Sequence, residues 1–410
     1  MVFEQKEKMR VEWVDIYKAL GIILVVVGHT TGILNTYIYQ FHMAAFFLIS
    51  GYTTNLEKDT VGHYIYKKIY RLFIPLLSIT IIGAAVMAIF HATEFYDYIY
   101  DANKYVYIGF INTIKNFLIY GDNYVWWLGA AWFIFVLFQI EILEKIVFQL
   151  CSAFKRKYIW YSLITIMLYI IGYYCVQRNI FRFRMFDLVL IGQMFFGTGQ
   201  IIRRIGKTQL NKKLSLKKIL LGLLVASLYL FLVKKYAINY TVDYPSREFH
   251  NIYLNYMSGI IGSIWLYSIA KIIEVYGNKI KALMKYVGKN TFGIIIFHFL
   301  AYSLAYAVLF FSGIVKVSKA YDISIRGFGS LHWIYWSIYA IGFSILLWKI
   351  LTGNYIGKIL FGKSYLWEKI WEKLKLKRNS ISHKSVTLER WKISLKKATV
   401  LLGTGMAAIF

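Results

Sequence analysis

The fold this sequence predicts is an all-α polytopic membrane protein of about ten transmembrane helices, with both termini cytoplasmic. Of its 410 residues 59% are hydrophobic, with a mean hydropathy of +0.52, and apolar runs long enough to cross a bilayer recur along the whole chain. The runs are continuous instead of alternating every second residue, which points to helices and away from a β-barrel. The Lys and Arg residues, 48 against 20 acids, fall mostly in alternate loops and in the tail. That is the positive-inside pattern, so the net charge of +28 speaks for an oriented multi-pass protein of a cell membrane and not for nucleic acid.

The expected spans are 16–34, 41–57, 72–92, 125–147, 159–176, 185–202, 219–235, 252–272, 291–312 and 331–351. Lys6, Lys8 and Arg10 put the amino terminus in the cytoplasm. Cytoplasmic loops then carry Lys58, Lys67, Lys68 and Arg71; Lys155, Arg156 and Lys157; residues 203–218; and residues 279–289. The opposite loops are poorer in base, and 93–124 holds Glu94, Asp97, Asp101 and Asp122. One loop dissents: Arg178, Arg182 and Arg184 fall outside, so either two spans are misplaced there or these arginines meet an anionic group. The second span is short, and a short segment can be held inside a bundle without matching the bilayer thickness. No cleavable signal peptide is expected, because Asp15, Lys18 and His29 interrupt the first apolar run. Cys151 and Cys175 lie near opposite ends of one span, too far apart for a disulfide, and no metal site is indicated.

The membrane domain is expected over 1–352, and 353–410 reads as a basic cytoplasmic tail. Within the tail Trp367, Ile370, Trp371 and Leu374 recur at helical spacing against a Lys-rich face. That is the pattern of an interfacial helix on anionic membrane lipid. The last apolar stretch, 398–410, is too short to span.

The chemistry centres on the first span. Lys18 and His29 are eleven residues apart, almost three helical turns, so they share a face about 16.5 Å apart along the axis. Keeping titratable groups inside a membrane is costly, which makes them functional candidates. His29 lies in the outer half of span one and His42 at the outer start of span two, so the two imidazoles can face each other. Histidine suits proton transfer near neutral pH and can carry an acyl group transiently. Simpler accounts stand beside these. His29 could make only an interhelical hydrogen bond, and His42 could merely cap a helix start. Lys18 and Arg71 could snorkel to headgroups, although at the inner end they also suit phosphate binding. Glu141 and Asp187 read as acids paired with a neighbouring donor. His298, in the inner part of span nine, fits an interhelical bond as well as donor binding. The Tyr-rich loop 96–107 reads as an interfacial aromatic belt before a sugar platform.

These residues resemble the acyltransferase-three family of integral membrane O-acyltransferases. Arg10-x2-Trp13-x-Asp15-x2-Lys18-x10-His29 is similar to the family's opening motif of a basic residue, ten spacers and a histidine. Residues 41–52, from Phe41-His42-Met43 to Ser50-Gly51-Tyr52, resemble its second motif. Arg71-x3-Pro75, Trp132-Phe133 and Gly288-Lys289-Asn290-Thr291 followed by His298 resemble later ones, in the expected order. The resemblance implies transfer of an acyl group, usually acetyl from cytoplasmic acetyl-CoA, to a hydroxyl of an extracytoplasmic envelope polysaccharide or lipid-linked sugar at the bacterial cytoplasmic membrane. It carries His29 and His42 over as catalytic positions, and Lys18, Arg71, Asp15, Ser50, Trp132 and His298 as substrate-binding ones. Acetyl-CoA enters as donor, with no tightly bound cofactor. The second motif departs at Ala44, where the family has a proline that would preset the helix start. The alternative is a transporter or flippase in which Lys18, His29 and Glu141 line a path without covalent chemistry.

Overall fold

Apolar periodicity is resolved into helices in a computed structural model that describes residues 11–30, 34–93, 107–121, 124–206, 215–237, 242–249, 251–312 and 332–382. Lys6, Lys8, Arg10, the acids of 94–122, most of the Tyr-rich loop and the apolar stretch 398–410 lie outside the described residues. The chain forms two compact units, Met1–Gly362 and Lys363–Phe410.

In the first unit the helices run α1 (Glu12–Thr30), α2 (Asn35–Ile38), α3 (His42–Thr53), α4 (Val61–Ala92), α5 (Phe110–Tyr120), α6 (Trp132–Cys151), α7 (Lys157–Arg178), α8 (Phe186–Gly206) and α9 (Leu216–Tyr236). A hairpin, β1 (Val242–Asp243) and β2 (Glu248–Phe249), precedes α10 (Ile252–Tyr276), α11 (Asn278–Lys289), α12 (Thr291–Phe311), α13 (Trp333–Gly353) and α14 (Tyr355–Leu360). The second unit holds α15 (Leu366–Ser382), so Trp367, Ile370, Trp371 and Leu374 do lie on one helix.

Among the described residues eight helices are long and apolar enough to cross a bilayer: α1, α4, α7, α8 with its preceding turn, α9, α10, α12 and α13. The chain is an all-α polytopic membrane protein. Leu163, Ile170, Leu221, Leu224, Ile338 and Ile350 stand exposed on α7, α9 and α13, as lipid-facing side chains should. The two other expected spans are also helices. α6 carries Glu141, Glu144 and Lys145, all buried. α3 has 12 residues, about 18 Å of rise against a hydrocarbon core of about 30 Å, and is buried along nearly its whole length.

Glycine lets α3 be enclosed. A Cβ at Gly51 would stand 2.0 Å from the Phe196 carbonyl oxygen, and one at Gly199 would stand 2.1 Å from that of Leu48. α3 and α8 therefore touch backbone to backbone.

Three features depart from the sequence expectation. The third span does not begin at 72, since α4 starts at Val61 and Arg71 lies inside it, in a π-helical turn, Ile69–Phe73. Pro75 explains the turn: it has no N–H for the Arg71 carbonyl four residues back, and the chain bonds Ile74 N–H to the Ile69 carbonyl instead. The loop 93–124 contains α5, whose Phe117 packs on Phe73 and Phe135. The connection 236–251 holds the antiparallel hairpin, with Val242 opposite Phe249 and Asp243 opposite Glu248.

The two ends of the bundle are fixed by contact. Trp13, at the start of α1, packs on Tyr52, at the end of α3, with ring centroids 5.3 Å apart. This basic end is laced by ion pairs. Glu141 accepts from Tyr64 and pairs with Lys68 at 2.5 Å. Glu144 accepts from Tyr161. Lys145 donates to the Leu56 and Asp59 carbonyls at 2.5 and 2.6 Å, holding the α3–α4 turn. Glu12 pairs with Lys281 and Lys285.

The outer arginines engage neighbouring protein groups. Arg184 donates to the Leu118 and Ile119 carbonyls at the last turn of α5, at 2.8 and 2.9 Å. Arg182 bonds Asn179 and Arg178 lies over Tyr174. Helix carboxyl ends leave carbonyls without intrahelical partners, and a guanidinium is suited to them.

Candidate functional site

The opposite, histidine end encloses a cavity of about 170 Å³ with His29, Tyr39, His42, Trp132, Asp243 and Tyr244 in its wall. Val25, Met43, Phe46 and Ile295 add apolar lining. His29 sits in the last turn of α1, half-buried. Its ring lies 4.6 Å from that of Phe299 and 5.4 Å from His298, nearly parallel to the second at 28°.

His42 opens α3 and is buried. The proline of the family motif is absent, and two other contacts set this helix start. Phe41 is wedged against α10, where a Cβ at Gly262 would lie 2.0 Å from the Phe41 ring. Ala44 stands close to α10 as well, with a Cβ at Gly259 only 2.8 Å from its own. The His42 Nδ1 then lies 2.9 Å from the Ile38 carbonyl. A carbonyl only accepts, so Nδ1 carries the proton and Nε2 of the neutral ring keeps its lone pair. Tyr39 stands between the histidines, 5.0 Å from His42 and 6.4 Å from His29 by ring centroids.

His298 is the eighth residue of α12, and its ring stacks on that of His29. Its Nδ1 donates to the Ile294 carbonyl at 2.8 Å, repeating the arrangement of His42, and its buried Nε2 has no hydrogen-bond partner among the described residues.

The hairpin forms the remaining wall. Trp132 and Tyr244 stack with centroids 6.0 Å apart and planes at 18°. Arg247 clasps the buried Asp187 through two bonds, Nε to Oδ2 at 2.5 Å and Nη2 to Oδ1 at 3.3 Å. Asn251 caps α10 by accepting from the N–H groups of Tyr253 and Leu254, so the hairpin is fixed on both sides.

Of the sequence-predicted positions, His29, His42 and Trp132 therefore share one cavity and His298 adjoins it. Lys18, Asp15, Arg71 and Ser50 do not line it. Asp15 is buried where α1 meets α11, and a Cβ at Gly288 would stand 1.9 Å from its carbonyl oxygen. That contact joins the first and last motifs through backbone. Lys18 is half-buried one turn further on. Arg71 is exposed beside Tyr70. Ser50 lies about 12 Å of helix rise from His42, and its carbonyl accepts from the Thr54 N–H at 3.1 Å. Tyr39, Asp243, Tyr244 and Phe299 were missed. The only available signal was the turn-rich run 243–247, Asp-Tyr-Pro-Ser-Arg.

A family model described as an acyltransferase domain, Acyl_transf_3, matches residues 11–354. The chain belongs to the acyltransferase-3 family. Comparison with curated proteins and with solved structures gave no match. Membership makes this multi-pass chain a membrane acyltransferase. In this acyltransferase the matched region takes in both histidines, the hairpin and the basic end.

Proposed function

We propose that the protein is an O-acetyltransferase of the bacterial cytoplasmic membrane that moves an acetyl group from cytoplasmic acetyl-CoA to a hydroxyl of an extracytoplasmic envelope carbohydrate. The observation that carries this reading is the pair of imidazoles, His29 and His42, in the wall of one small cavity with aromatic rings and Asp243 around it. Such a wall suits a sugar, whose faces are apolar and whose edge is hydroxyls.

The thioester approaches from the basic end. Lys18 and Arg71 are the phosphate-binding positions there, and the about 16.5 Å from Lys18 to His29 is comparable to the reach of a pantetheine arm. His29 takes the proton of the acceptor hydroxyl while its oxygen attacks the thioester carbonyl. The C–S bond then breaks, and the proton returns to the departing thiolate to give free CoA. His42, with its Nε2 lone pair held by the bond to Ile38, orients the acceptor hydroxyl. That same lone pair favours a second route, in which His29 first accepts the acyl group and His42 serves as base. Ping-pong kinetics would mark the second route.

The test is transfer of labelled acetyl from acetyl-CoA into envelope glycan by membranes containing the protein. Label above that of membranes lacking the protein supports the reading. No label in glycan, with the protein correctly inserted, counts against it and points to another acyl donor or acceptor.

A further inference from the structure

A second cavity, of about 290 Å³, adjoins the histidine chamber, and its wall includes Tyr124, Gly129, Trp132, Met185, Pro245 and Arg247. Trp132 and Pro245 belong to both walls. One indole and one pyrrolidine thus stand as the partition between two chambers at the same end of the bundle. We propose that together they form one cleft for a glycan of two or more sugar residues. The reacting residue sits in the histidine chamber and its chain neighbour in the Tyr124–Arg247 chamber. This rests on the O-acetyltransferase reading and adds the acceptor's minimum length and the residues that sense it.

The chemistry of the second chamber fits a sugar. Tyr124 is 44% exposed and offers a ring face as well as a hydroxyl. Trp132 presents its indole between the chambers, braced by the stacked Tyr244 on the hairpin side. Arg247 uses three N–H groups on Asp187 and Pro245. A guanidinium has five, so among the described residues two remain for hydroxyl oxygens. The partition is rigid, because the hairpin that supplies Pro245 is clamped to α8 through the buried carboxylate of Asp187. A free monosaccharide would fill one chamber only, and a linked pair would fill both.

The measurement uses the full-length protein in membranes with labelled acetyl-CoA. The acceptors are de-O-acetylated envelope glycan cut to disaccharides and longer fragments, and the monosaccharides obtained from the same glycan. The expected kcat/KM is higher for the fragments by about tenfold or more (about 1.4 kcal/mol per tenfold). Tyr124→Ala, which removes the ring, and Met185→Trp, which fills the second chamber, should each reduce that preference about tenfold. A loss of folded protein lowers both rates alike, and the ratio is insensitive to it. Equal use of monosaccharide and fragments, or a preference that survives both substitutions, overturns the proposal. Absence of transfer to every acceptor overturns the acetyltransferase reading itself, which separates that failure from a failure of the two-chamber cleft.

Discussion

At the basic end of the bundle charges are held by other charges, by phenols and by carbonyls; at the histidine end the imidazoles are held by carbonyls and rings. Glu141 carries Lys68 and Tyr64, and Glu274 takes both Lys271 and the Trp13 N–H at the start of α1. His42 and His298 instead each give one N–H to a carbonyl four residues earlier and keep the second nitrogen back. The single buried ion pair described above for that end, Asp187–Arg247, lies under the hairpin and not in the histidine chamber. Charges engaged with one another stabilise helices against each other, whereas an imidazole with a reserved lone pair can exchange a proton with a guest. The difference teaches that charge alone is a poor marker of the proposed reacting centre.

Substitutions at the two ends sharpen the contrast. His29→Ala should give the largest effect on transfer, a fall of about 10²–10⁴-fold, with insertion and thermal unfolding in detergent unchanged; a variant with normal transfer would remove His29 from the mechanism. Arg247→Ala leaves a buried carboxylate alone and should cost about 3–5 kcal/mol, read as a lower unfolding temperature, together with a raised KM for acceptor. Glu141→Ala strands Lys68 at the other end and should destabilise on the same scale of about 3–5 kcal/mol, with KM for acceptor unmoved. Equal kinetic damage from both would erase the division between the ends. Asn251→Ala should cost about 1 kcal/mol through the lost cap of α10, measured by the same unfolding assay.

The smallest effect concerns Glu57, in the turn between α3 and α4. The hydrogen bond from Lys157, joined by one from Tyr158, holds its carboxyl below the usual range. A depressed carboxyl stabilises the fold above its unfolded pKa and loses that contribution as pH falls through the folded one. Lys157→Ala should therefore differ from wild type by a few tenths of a kcal/mol at neutral pH, since the pair is exposed. The gap should close on acidification below about pH 4. A gap that persists there would assign the effect to something other than Glu57.

Much of the fold was legible because a bilayer imposes long apolar helices, and each of the ten expected spans coincides with a helix. The shortness of α3 was visible too. Less visible were features with no periodicity: a hairpin of two residues per strand, and a π-turn set by the missing N–H of Pro75. Of the candidate cavity, chemistry and spacing picked out His29 and His42, which lie in one wall. The stacking of His298 on His29 was not legible, because sequence counts along one helix while the site depends on how α1 and α12 pack. Asp243 and Tyr244 come from a connection whose apolar content is too small to announce a wall. Lys18 and Arg71 were read as a pair, and the structure gives them a common end of the bundle but no common cavity.

The division of labour between the two ends is tested most directly by sidedness. Labelled acetyl-CoA would be supplied to inside-out vesicles, which present the basic end to the medium in the orientation set by the charge bias, and to right-side-out vesicles of the same membranes. The account predicts labelled glycan on the opposite side only when the donor meets the basic end, and none when it meets the histidine end. Equal labelling from the histidine end in sealed vesicles would contradict transfer across the membrane from the Lys18 end to His29.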